Sequence, residues 1–417
     1  MGSLLIEGGH TLYGQINIPG AKNAVTPILA ACLLTRQPVE IKNVPQISDV
    51  DKMLSLLKGL GVVVERQGST VSLQAREVTA QSLDRKLVKS MRSSVLMFGP
   101  LLARLGEVAL PEPGGCIIGN RPLGAHLVGL QQLGAEVSQH NDAYLLQAKK
   151  LHGAHVVLPE FSVTATENII MAAVLADGVT VIDLAAAEPH VQDLCDFLIK
   201  LGAKISGVGT HHLIIEGVVE LGGASHTVIP DPVEAGTWAV LGAVGRGEIS
   251  LRPVRSDHLA IVLFKLKEMG VDYSLVGDVL TVRASRQLKP FSKLQALPYP
   301  GFPTDLQAPF TVLATQASGS SLIHDPLYEG RMNHIAELVK MGANALIADP
   351  HRVIINGPTP LYGREIRSLD LRAGATLLIA GLIAEGETLL NDVEVLDRGY
   401  EKLDERLAAL GAKLSRL

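Results

Sequence analysis

One short phrase recurs along the whole chain: LLKGLGVVV, GLQQLGAEV, FLIKLGAKI, KLKEMGVDY, ELVKMGANA and RLAALGAKL. Its glycines, Gly61, Gly134, Gly202, Gly270, Gly342 and Gly411, stand 73, 68, 68, 72 and 69 residues apart. Self-similarity at a fixed period means one supersecondary unit repeated, so six units of about 70 residues account for the protein. Each phrase reads as the end of an amphipathic helix, with apolar residues at helical spacing and a glycine suited to a left-handed cap. A hairpin follows, seen in LIIEG (213–217), LTVRA (280–284) and VIING (353–357). Next come a further strand and a helix rich in small residues, as in EAGTWAVLGAV or LRAGATLLIAGLIA. The unit is a mixed α/β module in which strands and helices alternate.

The sixth phrase has no hairpin strand after it, and SLLIEG near the other end of the chain matches the missing one. The N-terminal strand is therefore expected to close the last repeat. That makes one domain discontinuous, residues 1–20 with 229–417, and the other continuous, 21–228. Crossings near Gly20–Ala21 and Ile229–Pro230 then join three repeats to three, and a cleft between the halves is the expected ligand site.

With 47% hydrophobic and 19% charged residues in 417, the chain has ample material for two cores. A net charge of -5 argues against general affinity for nucleic acid or an acidic membrane, so any cationic site has to be local. Cys32, Cys116 and Cys195 are too few and scattered for a disulfide framework or a metal site. MGSLLIEGGH does not read as a signal peptide, and LLIAGLIA at 377–384 is flanked by Arg372 and Glu385. A cytoplasmic protein is expected. Neither a GxxxxGK[ST] loop nor a GxGxxG fingerprint behind a strand occurs, so no nucleotide cofactor is expected.

The second helix of each unit opens at GAKNAVTP (20–27), KSMRSSVL (89–96), FSVTATEN (161–168), DPVEAGTW (231–238), FPTDLQAP (302–309) and LDLRAGAT (369–376). Small residues leave backbone N–H groups open there, and the helix dipole adds partial positive charge. Together with Lys22, Arg92 and Arg372 such termini suit a multiply anionic ligand, although any one of them read alone is an ordinary cap.

PGAKNA (19–24), MRSS (91–94), PGGCIIGNRP (113–122), FPTDLQA (302–308), EGRMNH (329–334), DLRAGA (370–375) and DRGYEKLDERL (397–407) closely resemble the UDP-N-acetylglucosamine enolpyruvyl transferases, or 1-carboxyvinyltransferases. The resemblance runs from end to end. It implies a two-domain inside-out α/β barrel of six βαβαββ repeats, with phosphoenolpyruvate and UDP-N-acetylglucosamine as small-molecule partners. The implied reaction adds the 3′-hydroxyl of the sugar to C2 of phosphoenolpyruvate while C3 is protonated, and a tetrahedral ketal then expels phosphate. Asp305 matches the general base. Lys22, Arg121 and Arg398 match the phosphate-binding positions, and Arg331 and Arg372 those that hold the carboxylate. Asn23 can hydrogen-bond the reacting groups, and Asp370 is a second carboxylate near Arg372. Arg92, Arg121, Pro122, Leu123, Gly124, Ala125, Ser162, Val163, Asp305 and Leu327 match the sugar-nucleotide side.

Cys116 matches the proton donor to C3, which can also form a covalent adduct. Glycines at 114, 115 and 119 would let its loop move. Cys32, Cys195 and Trp238 read as core. His126 suits either a nucleotide contact or a structural role, and His211 and His212 have no partners at metal-ligand spacing. Departures from the family pattern fall on the nucleotide side: Ser48 and Glu160 replace lysines, Gly124 an aspartate, Thr164 a glycine and Gly330 an asparagine. Competing readings are transfer to another acceptor, shikimate 3-phosphate included, and a catalytically silent sensor of nucleotide sugars. The sister family that uses shikimate 3-phosphate lacks a GGC loop, and retention of Lys22, Cys116, Asp305, Arg331 and Arg398 speaks against a silent protein.

Overall fold

The computed structural model describes residues 2–79, 83–114, 118–119 and 121–417. The chain divides into two compact units, one of Met1–Pro19, Cys116–Asn120 and Pro230–Leu417, the other of Gly20–Gly115 and Arg121–Ile229.

The first unit has three four-stranded sheets. Their strand orders are Asp272–Val276, Val279–Arg283, Arg246–Arg252, Thr11–Asn17; then Leu294–Gln295, Gly319–His324, Arg352–Gly357, Asn344–Asp349; and Glu365–Arg367, Glu387–Asn391, Ser3–Glu7, Lys413–Arg416. Each holds one parallel pair, as a strand–helix–strand crossover requires, and two antiparallel pairings beyond it. In the third sheet Ser3–Glu7 runs antiparallel to both neighbours, with Ser3 opposite Asn391 and Leu4 opposite Arg416. The second unit repeats the pattern with Ala224–Thr227, Val39–Lys42, Thr70–Gln74, Val63–Gln67 and with His155–Val157, Val179–Asp183, His212–Glu216, Lys204–Ser206. Among the described residues its remaining sheet has three strands, Glu107–Pro111, Ala143–Gln147 and Glu136–His140.

The six phrase glycines follow the helices Ser48–Gly59, Gly124–Gln132, Pro189–Lys200, Ala260–Glu268, His334–Lys340 and Leu403–Ala409. All six have positive φ, from 77° at Gly270 to 108° at Gly342, the left-handed cap that the sequence requires of them.

The small-residue helices lie inside. In the first unit Pro232–Val244, Thr304–Thr315 and Leu371–Ile383 pack on one another and are buried almost throughout. A helix apolar on every face needs such surroundings. Their threonines spend the hydroxyl on their own backbone: Thr237 donates to the Val233 carbonyl and Thr376 to that of Arg372, each at 2.8 Å. Close approach explains the glycines, since a Cβ at Gly236 would sit 2.5 Å from Leu306 Cδ1. In the second unit Lys22–Ala31, Phe98–Leu105 and Val163–Ala173 play this part. There Asn168 ties two helices, accepting from the Gly99 N–H at 2.7 Å and donating to the Val95 carbonyl at 2.9 Å.

One helix start differs from expectation. Arg92–Met97 is a 3₁₀ helix, and the α-helix begins only at Phe98. Pro100 has no N–H to offer the Leu96 carbonyl, so the α-ladder cannot reach back through MRSS. Cys32, Cys195 and Trp238 are core residues, and burial pushes the Cys195 thiol up to about 12. Among the described residues no helix is long and apolar enough to cross a membrane.

Candidate active site

In the first unit the sequence-predicted residues gather at the N-termini of two central helices. Asp305 stands in the first turn of Thr304–Thr315, and Asp370 caps Leu371–Ile383 by accepting from the Arg372 and Ala373 N–H groups at 2.8 and 3.1 Å. Arg331 Nη2 lies 2.5 Å from Asp305 Oδ1, and Arg372 Nη2 lies 3.2 Å from Asp305 Oδ2. The two arginine side chains are 8% and 5% exposed and the aspartate 22%, so one carboxylate grips two buried cations and keeps an open edge. Burial opposes the charge on Arg331, but Asp305, Asp370 and Asp325 outweigh it and raise its pKa. Arg372 is raised likewise: burial opposes it, while Asp305 and Tyr400 prevail. Arg398 ends the 3₁₀ helix Val393–Arg398 and is half-buried, and Leu327 is 39% exposed.

Two supporting residues had no signal in the sequence. Asp325 is fully buried; its Oδ2 accepts from the Thr304 hydroxyl at 2.6 Å and its Oδ1 from the Leu327 N–H at 3.0 Å, which fixes both chain segments beside Asp305. Burial raises its pKa despite those bonds. Tyr400, also buried, accepts from Arg372 Nη1 at 3.3 Å and places its ring 5.7 Å from the guanidinium.

In the second unit Lys22 opens the helix Lys22–Ala31 with Asn23 beside it, and its ammonium lies 3.0 Å from Asp49, which is 1% exposed on the neighbouring helix. A second group collects Arg92, Arg121, Leu123, Gly124, Ala125, Ser162 and Val163. Arg92 donates to the Arg121 carbonyl. Leu123 precedes the helix Gly124–Gln132, with Leu123 and Ala125 buried and Pro122 exposed. Ser162 caps Val163–Ala173 by accepting from the Ala165 N–H at 3.4 Å. His126 links the two helices: Asn168 Nδ2 donates to its Nδ1 at 2.9 Å, and its Nε2 meets the Thr164 hydroxyl at 3.1 Å. Burial, then the charges of Arg92 and Arg121, lower its pKa to about 3, so it is a neutral structural histidine. Two helix N-termini and two guanidinium groups in this order suit a polyphosphate. Cys116 lies outside the described residues.

The departures from the family pattern have different physical reasons. A side chain at Gly330 would lie 2.7 Å from the Ile118 backbone, whose carbonyl accepts from the Gly330 N–H at 3.0 Å. Glycine is demanded there. At Gly124 a Cβ meets nothing within 4 Å, so packing does not exclude a larger residue. Thr164 gives His126 its hydroxyl partner, Glu160 is exposed, and Ser48 starts the helix Ser48–Gly59.

Helices lie inside and sheets outside, with a carboxylate held by two buried arginines at the helix ends, and comparison sets this arrangement among the carboxyvinyl transferases. The family model of EPSP synthase (3-phosphoshikimate 1-carboxyvinyltransferase) matches residues 6–407, and the chain belongs to that family of enzymes. Over its full length it is 44% identical to the UDP-N-acetylglucosamine 1-carboxyvinyltransferase of Koribacter versatilis (strain Ellin345), covering 97% of that protein. Among solved structures it is similar to the enolpyruvyl transferase NikO from Streptomyces tendae, with a TM-score of 0.91 and 25% identity over 100% of this chain and 98% of that one. The EPSP synthase of Acinetobacter baumannii shares the fold, with a TM-score of 0.75 and 19% identity over 100% of both chains.

Proposed function

We propose that the protein transfers the enolpyruvyl group of phosphoenolpyruvate to the 3′-hydroxyl of UDP-N-acetylglucosamine with release of phosphate, the first committed step toward peptidoglycan. The observation that carries the chemistry is the grip of Arg331 and Arg372 on Asp305. The full-length identity with the Koribacter protein supports the acceptor. Both substrates are water-soluble anions, which supports a cytoplasmic site of action.

The carboxylate of phosphoenolpyruvate takes the guanidinium donors of Arg331 and Arg372 away from Asp305. Asp305 then has its oxygens open to accept the proton of the sugar hydroxyl, whose oxygen bonds to C2. C3 receives a proton from Cys116, and the tetrahedral product carries both oxygen substituents on C2. Return of a C3 proton to the Cys116 thiolate and cleavage of the C2–O bond, with the departing phosphate taking the proton held by Asp305, complete the exchange and restore both groups. Lys22, Arg121 and Arg398 hold the phosphate through addition and departure, Asn23 hydrogen-bonds the reacting groups, and Asp370 is a second carboxylate beside Arg372, fixed by the Arg372 N–H. Arg92, Arg121, Pro122, Leu123, Gly124, Ala125, Ser162 and Val163 hold the nucleotide, and Asp305 with Leu327 the sugar.

Phosphate release from phosphoenolpyruvate, measured with UDP-N-acetylglucosamine, other nucleotide sugars and shikimate 3-phosphate, tests the reading. Release is expected with UDP-N-acetylglucosamine. Release only with another acceptor overturns the choice of acceptor, and none with any overturns the activity.

A further inference from the structure

The segment Asp397 to Asp404 carries Arg398 and Tyr400, and a single side chain joins its two ends from outside. Arg416 Nη1 and Nη2 donate to Asp397 Oδ2 and Oδ1 at 2.8 and 2.9 Å. The same guanidinium donates through Nε and Nη2 to Asp404 Oδ2 and Oδ1, both at 2.9 Å. Asp397 directly precedes Arg398 in the 3₁₀ helix, and Asp404 lies in the first turn of Leu403–Ala409. Two non-glycine residues are in the left-handed region, Asp392 with φ 60° before the segment and Lys402 with φ 44° within it, a conformation that persists only when neighbours hold it. From inside, Arg406 Nη1 donates to the Glu401 carbonyl at 3.1 Å, and Tyr400 is packed on Trp238.

Arg416 itself stands on a firm base, since its strand pairs with Ser3–Glu7 in the sheet. It lies beyond residue 407, where the family match ends. Isolated exposed ion pairs contribute little, but a planar fork meeting two carboxylates with four hydrogen bonds is the geometry in which they count. Without it, two like charges would face each other across the segment that carries Arg398.

We propose that Arg416 is a positioning residue for Arg398: by bridging Asp397 and Asp404 it sets where the Arg398 guanidinium meets the phosphate of phosphoenolpyruvate. This rests on the reading of Arg398 as a phosphate-binding group. Steady-state phosphate release is to be measured for the wild type, Arg416→Ala, Arg416→Lys and Arg398→Ala, with each substrate varied in turn. Both Arg416 variants should raise KM for phosphoenolpyruvate about tenfold, leave KM for the sugar nucleotide within about twofold, and melt within a few degrees of the wild type. Lysine keeps the charge and loses the fork. A raised KM in the alanine variant alone therefore assigns the effect to charge and overturns positioning. Equal rises in both KM values, or none, overturn it as well. Where Arg416→Ala does not fold, Asp404→Asn opens the bridge from its far end and is held to the same criteria. If Arg398→Ala leaves KM for phosphoenolpyruvate unchanged in an active enzyme, the role of Arg398 falls and this proposal with it. A wild type that releases no phosphate refutes the proposed function; the positioning of Arg398 is then judged by titrating the same variants with inorganic phosphate, where unchanged affinity overturns it.

Discussion

Replacing Asp305 by asparagine tests the exchange of partners on which the mechanism depends. The change keeps size and removes charge from a group that faces two arginines, 8% and 5% exposed, at 2.5 and 3.2 Å. A pair of unit charges about 4 Å apart attracts by about 4 kcal/mol at an effective dielectric near 20, and desolvation offsets most of that. Removing one partner of a buried pair nevertheless costs about 3–5 kcal/mol, because the remaining charge is uncompensated. Asp325 and Asp370 still act on Arg331, and Asp305 is 22% exposed, so a loss near the lower end, about 3 kcal/mol, is expected for the ligand-free protein. Phosphoenolpyruvate then finds both arginines without an internal competitor. Its affinity should rise about tenfold, equivalent to about 1.4 kcal/mol, while turnover falls by about 10²- to 10⁴-fold with the base gone. Calorimetric titration with phosphoenolpyruvate, single-turnover phosphate release and guanidinium denaturation read the three quantities. Weaker or unchanged phosphoenolpyruvate binding would refute the exchange, and turnover within tenfold of the wild type would remove Asp305 from the base role.

Three further outcomes are expected. Cys116→Ser should lower turnover by about 100-fold and abolish any adduct with phosphoenolpyruvate, followed by intact-protein mass spectrometry; an unaffected rate removes the cysteine from proton transfer. Gly236→Ala forces a methyl against Leu306, next to Asp305, and should cost about 1–3 kcal/mol in urea denaturation and reduce turnover with it; a neutral change would mean that this helix crossing is loosely packed. His126 has a folded pKa of about 3, below the ordinary histidine value, so the unfolded chain binds the extra proton first as pH falls. Stability contributed by the neutral ring is complete above pH about 6.5 and is lost downward through about 3, by up to about 5 kcal/mol. Histidine NMR should find this imidazole unprotonated at pH 5, and titration near 6.5 contradicts the assigned burial.

The repeat was legible because each unit ends a helix in a conformation that glycine alone adopts cheaply, so Gly61 to Gly411 mark the period whatever the intervening residues do. The central helices were legible too, since runs such as LRAGATLLIAGLIA have no polar face to present to water. Arg331, Arg372 and Asp305, picked by motif, fall together in the fold. Asp325, Tyr400 and Asp49 were missed for a common reason: their partners, Thr304, Arg372 and Lys22, are 21, 28 and 27 residues away and no local pattern joins them. Asp49 in particular reads as an ordinary acid in the first turn of an amphipathic helix. The 3₁₀ turn at Arg92 was signalled only by Pro100, eight residues on, through a hydrogen bond that proline cannot make.

The sheet in which Ser3–Glu7 lies between Glu387–Asn391 and Lys413–Arg416 also orders events on the ribosome. Every described strand of the unit that carries Lys22 has been synthesised by Thr227, so that unit can pack while translation continues. The unit that carries Asp305 has to wait. Its strand Ser3–Glu7 is made before the other unit and remains without either neighbour until Glu387–Asn391 and Lys413–Arg416 follow, an exposed edge for nascent-chain chaperones to cover.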